Sequence, residues 1–191
     1  MEAQRLDEFK LPDGFRGRSG WYVQLWWFVQ ATLFRWSPQV FYGWRRWLLR
    51  RFGAHIGVSV IIRPSVQITY PWKLTIGDYA WVGDDVVLYT LGEITIGPHA
   101  VVSQRSHLCT GSHDYTQPTF DIYAKPIRIG AQAWLATDVF VAPGVEIGEG
   151  TVVGARSSVF ESLPPGMIAV GSPARVVRRR EGAHDQARDV C

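Results

Sequence analysis

The chain has little cysteine and little charge. Two of its 191 residues are cysteines, Cys109 and Cys191, and charged residues make up 19%. Two cysteines so far apart exclude the disulfide framework of a small secreted protein, so a reducing compartment is the simpler interpretation. Residues 1–13 are too charged for the apolar region of a signal peptide. We therefore expect a cytoplasmic protein.

The sequence also lacks an apolar segment that could span a membrane. Residues 21–34 are apolar, but this run has 14 residues and contains Gln24 and Gln30, whereas a transmembrane helix needs about 20 residues. The apolar fraction of 47% is ordinary for a folded chain, and the length fits one domain. Six of the nine tryptophans precede residue 48: Trp21, Trp26, Trp27, Trp36, Trp44 and Trp47. The chain changes character near Gly53.

After Gly53, aliphatic residues recur at a step of six. Fifteen of these anchors keep phase: Ile56, Ile62, Ile68, Ile76, Val82, Leu88, Ile96, Val102, Leu108, Ile129, Leu135, Val141, Ile147, Val153 and Val159. A small or β-branched residue stands four positions after most anchors, and glycine directly follows seven of them. Each hexapeptide is interpreted as one short strand and a corner, with the anchor inside and glycine permitting the backbone of the turn.

The spacing predicts an all-β solenoid of about five triangular coils with one long insertion. Ile129 and Ile147 are 18 residues apart, which is one coil of three strands, whereas Ile96 and Ile129 are 33 apart. The excess predicts a loop that protrudes from the solenoid near residues 112–126, and such loops are usually functional. An ordinary all-β domain would not keep phase over fifteen anchors, and stacked coils would bury a continuous core.

The segment before the repeat is predicted to be helical. Ser37 and Pro38 read as the cap and first residue of a helix that ends at Gly53. Residues 1–55 are interpreted as an aromatic and basic helical cap on the solenoid, residues 56–160 as the repeat, and residues 161–191 as a C-terminal extension and tail. The alternative is a surface that contacts the membrane interface, which would place the protein at the inner membrane face.

The repeat, over residues 56–178, resembles the hexapeptide-repeat acyltransferases. Three motifs narrow the likeness: TGSHDY at 110–115, WLATDVFVAPGV at 134–145 and VGARSSVF at 153–160. They are similar to the colanic acid biosynthesis acetyltransferases and, more distantly, to the maltose, galactoside and nodulation acetyltransferases. The resemblance implies a left-handed parallel β-helix and a homotrimer with sites between subunits. It also implies acetyl transfer from acetyl-CoA, as co-substrate, to a sugar hydroxyl in exopolysaccharide or oligosaccharide biosynthesis.

The resemblance assigns the general base to His113, since the family base is a histidine just after a Thr-Gly pair at this loop. An acceptor hydroxyl is a poor nucleophile until a base takes its proton, and imidazole, with a pKa of about 6.5, suits this task at neutral pH. The thioester of acetyl-CoA is already activated, so no metal is required. A backbone N–H near the thioester is the simplest donor to the tetrahedral oxyanion.

The resemblance also assigns six residues to the coenzyme: Trp134, Thr137, Ala142, Ala155, Arg175 and Arg178. Thr137 and Ala155 are 18 residues apart, so they stack one coil apart and leave a groove for the pantetheine arm. Arg175 and Arg178 suit the nucleotide phosphates through their planar donors. The family often has Thr-Lys where this chain has Phe160 and Glu161, and this departure puts one coenzyme contact in doubt.

Acceptor contacts are assigned to Asp85, Thr69, Asp114 and Tyr115. By register, either Gly83 or Asp85 occupies the place of a family asparagine that contacts the sugar. Asp114 and Tyr115 follow the base directly, and Thr69 lies one coil before Asp85. Each carboxylate is equally compatible with a corner of the solenoid, where aspartate is common.

Two other functions stay open on sequence grounds. One is an acetyltransferase for a non-sugar acceptor, such as an antibiotic or the nitrogen of an amino sugar. The other is a non-catalytic or metal-binding solenoid, although His107 and His113 are six apart and fall on adjacent faces, and no Cys/His cluster has zinc spacing. We expect no metal and no nucleic-acid partner, because no RNA or DNA motif accompanies the C-terminal arginines.

Overall fold

The computed structural model describes residues 4–181 and has two helices followed by a parallel β-solenoid. α1 spans Gly20–Val29 and continues as a π-helical turn over Gln30–Phe34, and α2 spans Tyr42–Arg51. Five complete coils of three short strands follow, and a sixth coil begins at the C-terminal end. The predicted solenoid is confirmed, with slightly more than the five coils expected.

The strands follow one another coil by coil. The first three coils contain β1 His55–Ile56, β2 Ile61–Ile62, β3 Gln67–Ile68, β4 Leu74–Ile76, β5 Trp81–Val82, β6 Val87–Tyr89, β7 Ile94–Ile96, β8 Val101–Val102 and β9 His107–Cys109, with a 3₁₀ turn at Pro71–Lys73. A hairpin of β10 Gly111–His113 and β11 Ile122–Ala124 then leaves the solenoid. The remaining strands are β12 Ile127–Ile129, β13 Trp134–Leu135, β14 Phe140–Val141, β15 Glu146–Ile147, β16 Val152–Val153, β17 Ser158–Val159, β18 Met167–Gly171 and β19 Ala174–Arg179.

Parallel pairing stacks these strands into three flat faces. Face A contains β1, β4, β7, β12 and β15, and face C contains β3, β6, β9, β14 and β17. Face B contains β2, β5, β8, β13, β16 and β18, with β19 antiparallel at its edge. The register pairs anchor with anchor, as in Ile56, Ile76 and Ile96 on face A, and all fifteen anchors are buried. The six-residue phase therefore marks the interior columns of the solenoid.

The glycines that follow the anchors serve close contact between coils, which corrects the role predicted for them. A Cβ built on Gly97 would lie 2.5 Å from the backbone nitrogen of Ala131, and one on Gly130 would lie 2.5 Å from that of Glu149. Neither glycine has a positive φ. The left-handed conformation falls two residues later, for example at Gln132 with φ of 57°. Any side chain at Gly97 or Gly130 would thus push the next coil away.

Arginines of α2 close the open edge of the first coil. That coil has no preceding coil to bond its backbone, and unpaired backbone groups at a buried edge are unfavourable. Arg45 is fully buried, and its Nε donates to the carbonyl of Ile62 at 2.7 Å. Arg50 donates to the carbonyl of Ile56 at 2.9 Å. Trp26 is also fully buried, and its indole N–H donates to the carbonyl of Ile68 in the same coil at 2.8 Å. The helices therefore pack on this end of the solenoid through both apolar and polar contacts.

The start of α2 differs from the prediction. The helix begins at Tyr42 with Phe41 as its cap residue, and Phe41 makes no side-chain capping bond. The Ser37 hydroxyl instead donates to the carbonyl of Phe34 at 2.6 Å and accepts from Arg45 at 2.8 Å. The need to satisfy the buried Arg45 guanidinium outweighs the local preference of a Ser-Pro pair for a helix start.

His107 on face C is expected to make folding stability depend on pH. Its ring lies between those of Tyr89 and Phe140, with centroids 6.3 and 5.9 Å away, and its Nε2 is buried without a hydrogen-bond partner. Burial lowers the pKa of His107 below its ordinary 6.5. Below about pH 6.5 the unfolded chain therefore binds a proton at His107 more readily than the folded chain does. The contribution of His107 to stability is complete above this pH and is lost as the pH falls below it.

We expect His107→Leu to flatten this acid slope in thermal melts recorded between pH 7.5 and 5. His99→Gln is the matched control, because the His99 ring is exposed at a corner, and this variant should keep the wild-type slope. An unchanged slope in His107→Leu would show that other groups set the acid sensitivity.

Candidate active site

The loop predicted from the spacing is present as the β10–β11 hairpin. It leaves after β9 on face C and returns before β12 on face A, so it protrudes from the corner between these faces. Gly111–His113 pairs antiparallel with Ile122–Ala124. The backbone N–H of Arg5 donates to the carbonyl of Pro118 at 2.7 Å. The N-terminal segment thereby holds the tip of the hairpin.

His113, on β10, is fixed by Phe120 across the hairpin. The two rings stack with centroids 4.2 Å apart and planes within 8°, and His113 Nδ1 lies 2.8 Å from the carbonyl oxygen of Phe120. A carbonyl can only accept, so Nδ1 carries the proton of a neutral imidazole. The lone pair of Nε2 is then left to accept a proton. This arrangement is suited to a general base.

Two residues that orient His113 were missed by the sequence analysis. Phe120 has a φ of 50°, which is unusual for a bulky side chain outside a solenoid corner and indicates a conformation imposed by its surroundings. Phe9, far away in sequence, packs its ring 5.9 Å from that of His113. No motif signals either contact, because both depend on how the hairpin and the N-terminal segment fold together.

The acceptor residues predicted beside the base have different environments. The Asp114 carboxylate accepts from the Thr116 hydroxyl at 2.6 Å and from its N–H at 2.9 Å, and these bonds lower the pKa of Asp114. Its carboxylate therefore stabilises the hairpin turn. Tyr115 is exposed, and Thr69 is half-buried at the same corner two coils before the hairpin. His113, Asp114, Tyr115 and Thr69 thus form one group at the corner between faces C and A, here called the loop corner.

Face B carries a second group of residues. Trp81, Val101 and Trp134 pair in one outward column, and the two tryptophans are 54% and 46% exposed. Beside Trp81 lies an open cavity of about 470 Å³. Its polar lining residues are Tyr42, Arg63, Asp84, Ser103 and Gln104. The Trp134 indole donates to the Ser103 hydroxyl at 3.0 Å. Of these two tryptophans, only Trp134 was among the predicted site residues.

A β-bulge turns Arg175 and Arg178 to the same side of β19. Residues directly opposite in an antiparallel pair point to the same side. Arg175 lies opposite Val170, and Arg178 lies opposite Ile168. Both partners alternate with the fully buried Ala169 and therefore point outward. The two arginines would face opposite sides without the one-residue register shift in this pair.

The outward row of face B connects these arginines to Trp134. Trp134 pairs with Val152, and Val152 pairs with Ile168, which lies opposite Arg178. Arg175 is 3.4 Å from Glu161, and this exposed ion pair contributes little stability. Both guanidiniums are mostly exposed. Face B therefore presents aromatic and cationic groups along one surface.

Thr137 and Ala155 stack at the corner between faces B and C. The N–H of Arg156 donates to the Thr137 carbonyl at 2.9 Å, and Ala155 is exposed. Asp85 lies at the same corner with a φ of 55°, and its neighbour Asp84, not Asp85, lines the cavity on face B. Ala142, also assigned to the coenzyme, does not lie beside Thr137 and Ala155, because it is 8% exposed and lies at the corner between faces C and A.

Within one chain, the loop corner and face B lie apart. In a triangular coil, the corner between faces C and A is opposite face B, so the solenoid separates His113 from Trp81 and Trp134.

Phe160, at the position of the family's Thr-Lys pair, packs against Phe140 with ring centroids 5.9 Å apart. Among residues 4–181, no group of three or more His, Cys, Asp or Glu side chains could hold a metal ion. The same part of the chain has no helix long and apolar enough to cross a bilayer.

No family model matches the chain, but curated relatives do. The chain is 68% identical over 177 residues to an Escherichia coli K12 protein named "Putative colanic acid biosynthesis acetyltransferase WcaF", covering 93% of this chain and 97% of that one. It is 28% identical over 137 residues to the galactoside O-acetyltransferase of the same organism, covering 70% and 68%.

Solved structures share the fold over nearly the whole chain. A hexapeptide-repeat acetyltransferase from Vibrio cholerae, complexed with acetyl-CoA, is 25% identical with a TM-score of 0.80 and covers 95% of this chain and all of that one. A maltose O-acetyltransferase from Clostridium difficile 630 is 25% identical with a TM-score of 0.77, covering 86% and 90%. The chain belongs to the hexapeptide-repeat acetyltransferases and is an acetyl-CoA-dependent acyltransferase.

Proposed function

We propose that the enzyme transfers the acetyl group of acetyl-CoA to a hydroxyl of a sugar or oligosaccharide in exopolysaccharide biosynthesis, with His113 as general base. The observation that carries the proposal is the Nδ1 contact of His113 with the Phe120 carbonyl, which leaves Nε2 as a proton acceptor. The names of the relatives at 68% and 28% identity support the acceptor class. We propose that the reaction takes place on the cytoplasmic side of the membrane, since the co-substrate acetyl-CoA is made in the cytoplasm.

In this proposal, Nε2 of His113 takes the proton of the acceptor hydroxyl as its oxygen attacks the thioester carbonyl. The C–O bond forms and the tetrahedral oxyanion collapses, which breaks the C–S bond. The imidazolium then returns its proton to the departing CoA sulfur, so the products are the acetyl ester and free CoA. The Phe120 carbonyl stabilises the imidazolium through the Nδ1–H, and the stacked Phe120 ring fixes the orientation of the imidazole.

We further propose a homotrimer in which the loop corner of one chain faces face B of the next. The argument is topological, since His113 and the tryptophans of face B lie on opposite sides of the same solenoid. A second copy brings the base to the cavity lined by Asp84 and Gln104, where a sugar could lie against Trp81. Aromatic faces and polar side chains together suit sugars, which have apolar and hydroxylated sides.

We propose that face B also holds the coenzyme, with Arg175 and Arg178 on its phosphates. Arg178→Ala should then raise the KM for acetyl-CoA by about tenfold and leave kcat nearly unchanged. Charge-assisted hydrogen bonds to a phosphate stabilise the bound substrate and the transition state equally. Arg179→Ala is the matched control, because Arg179 lies opposite Met167 and points to the other side of the same strand. Equal effects of both variants on KM would indicate general attraction by the basic strand.

The function itself is tested with acetyl-CoA and a panel of purified oligosaccharides and amino sugars. We expect release of free CoA together with an oligosaccharide heavier by one acetyl group. Mild alkali should remove that group, since an ester is labile where an amide is stable. An alkali-stable product would instead support the alternative acceptor, the nitrogen of an amino sugar. Absence of turnover with every hydroxyl acceptor would contradict the proposal.

A further inference from the structure

The N-terminal helices expose a continuous apolar surface on the side away from the solenoid. Their inner side packs on the first coil through buried residues such as Trp26 and Leu49. Their outer side exposes six large apolar side chains, here called the aromatic surface: Phe28, Leu33, Trp36, Phe41, Trp44 and Trp47. Trp36 is 81% exposed and Phe28 is 66% exposed. Exposure of this many aromatic residues in one place marks an interaction surface.

The aromatic surface is held in shape by its own contacts. The Trp44 and Trp47 rings stack with centroids 5.1 Å apart and planes within 19°. The Trp44 indole donates to the carbonyl of Leu33 at 3.0 Å, which ties α2 to the π-helical turn. The open groove between them is lined by Leu33, Trp36, Phe41, Trp44 and Trp47. The surface is therefore a defined feature of the folded protein.

The segment that carries this surface has ionic charge of one sign. Residues 14–77 contain nine basic residues and no aspartate or glutamate: Arg16, Arg18, Arg35, Arg45, Arg46, Arg50, Arg51, Arg63 and Lys73. Arg45 is buried, whereas Arg35 and Arg51 are exposed. Within residues 4–181, the segment's only ion pair joins Arg63 to Asp84. Two copies docked through this surface would bring like charges together, which disfavours a second chain as the occupant.

We propose that the aromatic surface docks the enzyme on a bilayer that contains anionic lipid. Tryptophan and phenylalanine partition to the boundary between headgroups and acyl chains, and exposed arginines interact with anionic headgroups. The contact is peripheral, because no helix among residues 4–181 could span the bilayer. The proposed bilayer contact does not depend on which acceptor the enzyme acetylates.

The test is co-sedimentation of the full chain with vesicles of phosphatidylcholine alone or with added phosphatidylglycerol. We expect binding to the anionic vesicles that weakens as salt is raised. Trp36→Ala/Trp47→Ala should weaken this binding at least tenfold, and Arg35→Glu/Arg51→Glu should abolish the preference for phosphatidylglycerol. Trp81→Ala is the matched control, since Trp81 on face B is 54% exposed and Trp47 is 53% exposed, and it should bind as the wild type does.

Each variant is first checked for wild-type thermal melting, so that loss of binding is not loss of folding. Failure of the wild-type chain to bind anionic vesicles would overturn the proposal. Binding that is unchanged in Trp36→Ala/Trp47→Ala would overturn it as well. Self-association of the wild type that disappears in that variant, without vesicle binding, would show that a second copy covers the surface instead.

Discussion

His113→Ala is expected to lower kcat for acetyl transfer by about 10²- to 10⁴-fold, the range typical for loss of a general base. The KM for acetyl-CoA should change little, because the coenzyme residues proposed on face B are unaffected. Steady-state kinetics with the preferred oligosaccharide measure both constants. Melting temperature and oligomeric mass should match the wild type, since the His113 ring is only half-buried in the hairpin.

His99→Ala is the control for this experiment, because His99 is an exposed corner residue and its removal should leave turnover unchanged. Mixing provides a sharper test of a site shared between chains. Trp81→Ala chains and His113→Ala chains each lack one half of the site. Refolding them together should restore part of the activity in mixed trimers. No recovery on mixing would contradict a site shared between chains, and full activity of His113→Ala would assign the base elsewhere.

Gly130→Ala is expected to destabilise the solenoid by about 1–3 kcal/mol or more, as overpacking against rigid neighbours does. The added methyl would lie 2.5 Å from the backbone nitrogen of Glu149 in the next coil. The neighbour is backbone held by parallel pairing between Ile129 and Ile147, so it cannot move without breaking that pairing. Denaturant unfolding and thermal melts measure the loss.

The same substitution at Gly43 is expected to have the opposite sign. Gly43 is exposed in α2, and the nearest atom to an added Cβ is a flexible Arg46 nitrogen at 3.8 Å. Alanine is favoured over glycine in a helix by about 0.5–1 kcal/mol, so Gly43→Ala should raise the melting temperature slightly. Equal destabilisation by both variants would contradict the assignment of the solenoid glycines to contact between coils.

The sequence predicts the solenoid well because its structure is periodic. An anchor such as Ile96 is constrained in the same way as Ile76 and Ile129, so a single rule places fifteen buried residues and locates the hairpin by the break in phase. The start of α2 is not predictable in this way. It depends on the buried Arg45, which donates to the Ser37 hydroxyl and to the carbonyl of Ile62 on the first coil, and no local pattern links Ile62 to Arg45.

The candidate site is predictable only where a motif is contiguous. His113 lies in such a motif, but Phe120 orients it from across the hairpin and Phe9 contacts it from the N-terminal segment. The cavity on face B joins Tyr42 of α2 to Gln104 of the third coil. Residues so distant in sequence become neighbours only through the stacking of helix and coils, and no spacing rule within one coil reveals them.

The bulge in β19 determines to which side of the sheet the side chains after it point. In a regular strand, side chains three positions apart point to opposite sides. Because Val177 is bulged, each residue after it points to the side opposite the one that it would take in a regular strand. Chain length in this short stretch therefore matters as much as residue identity. Deleting Val177 would leave Arg175 and Arg178 two positions apart in a regular strand, with both still facing the surface that carries Trp134, whereas a regular strand that kept Val177 would turn Arg178 away from that surface.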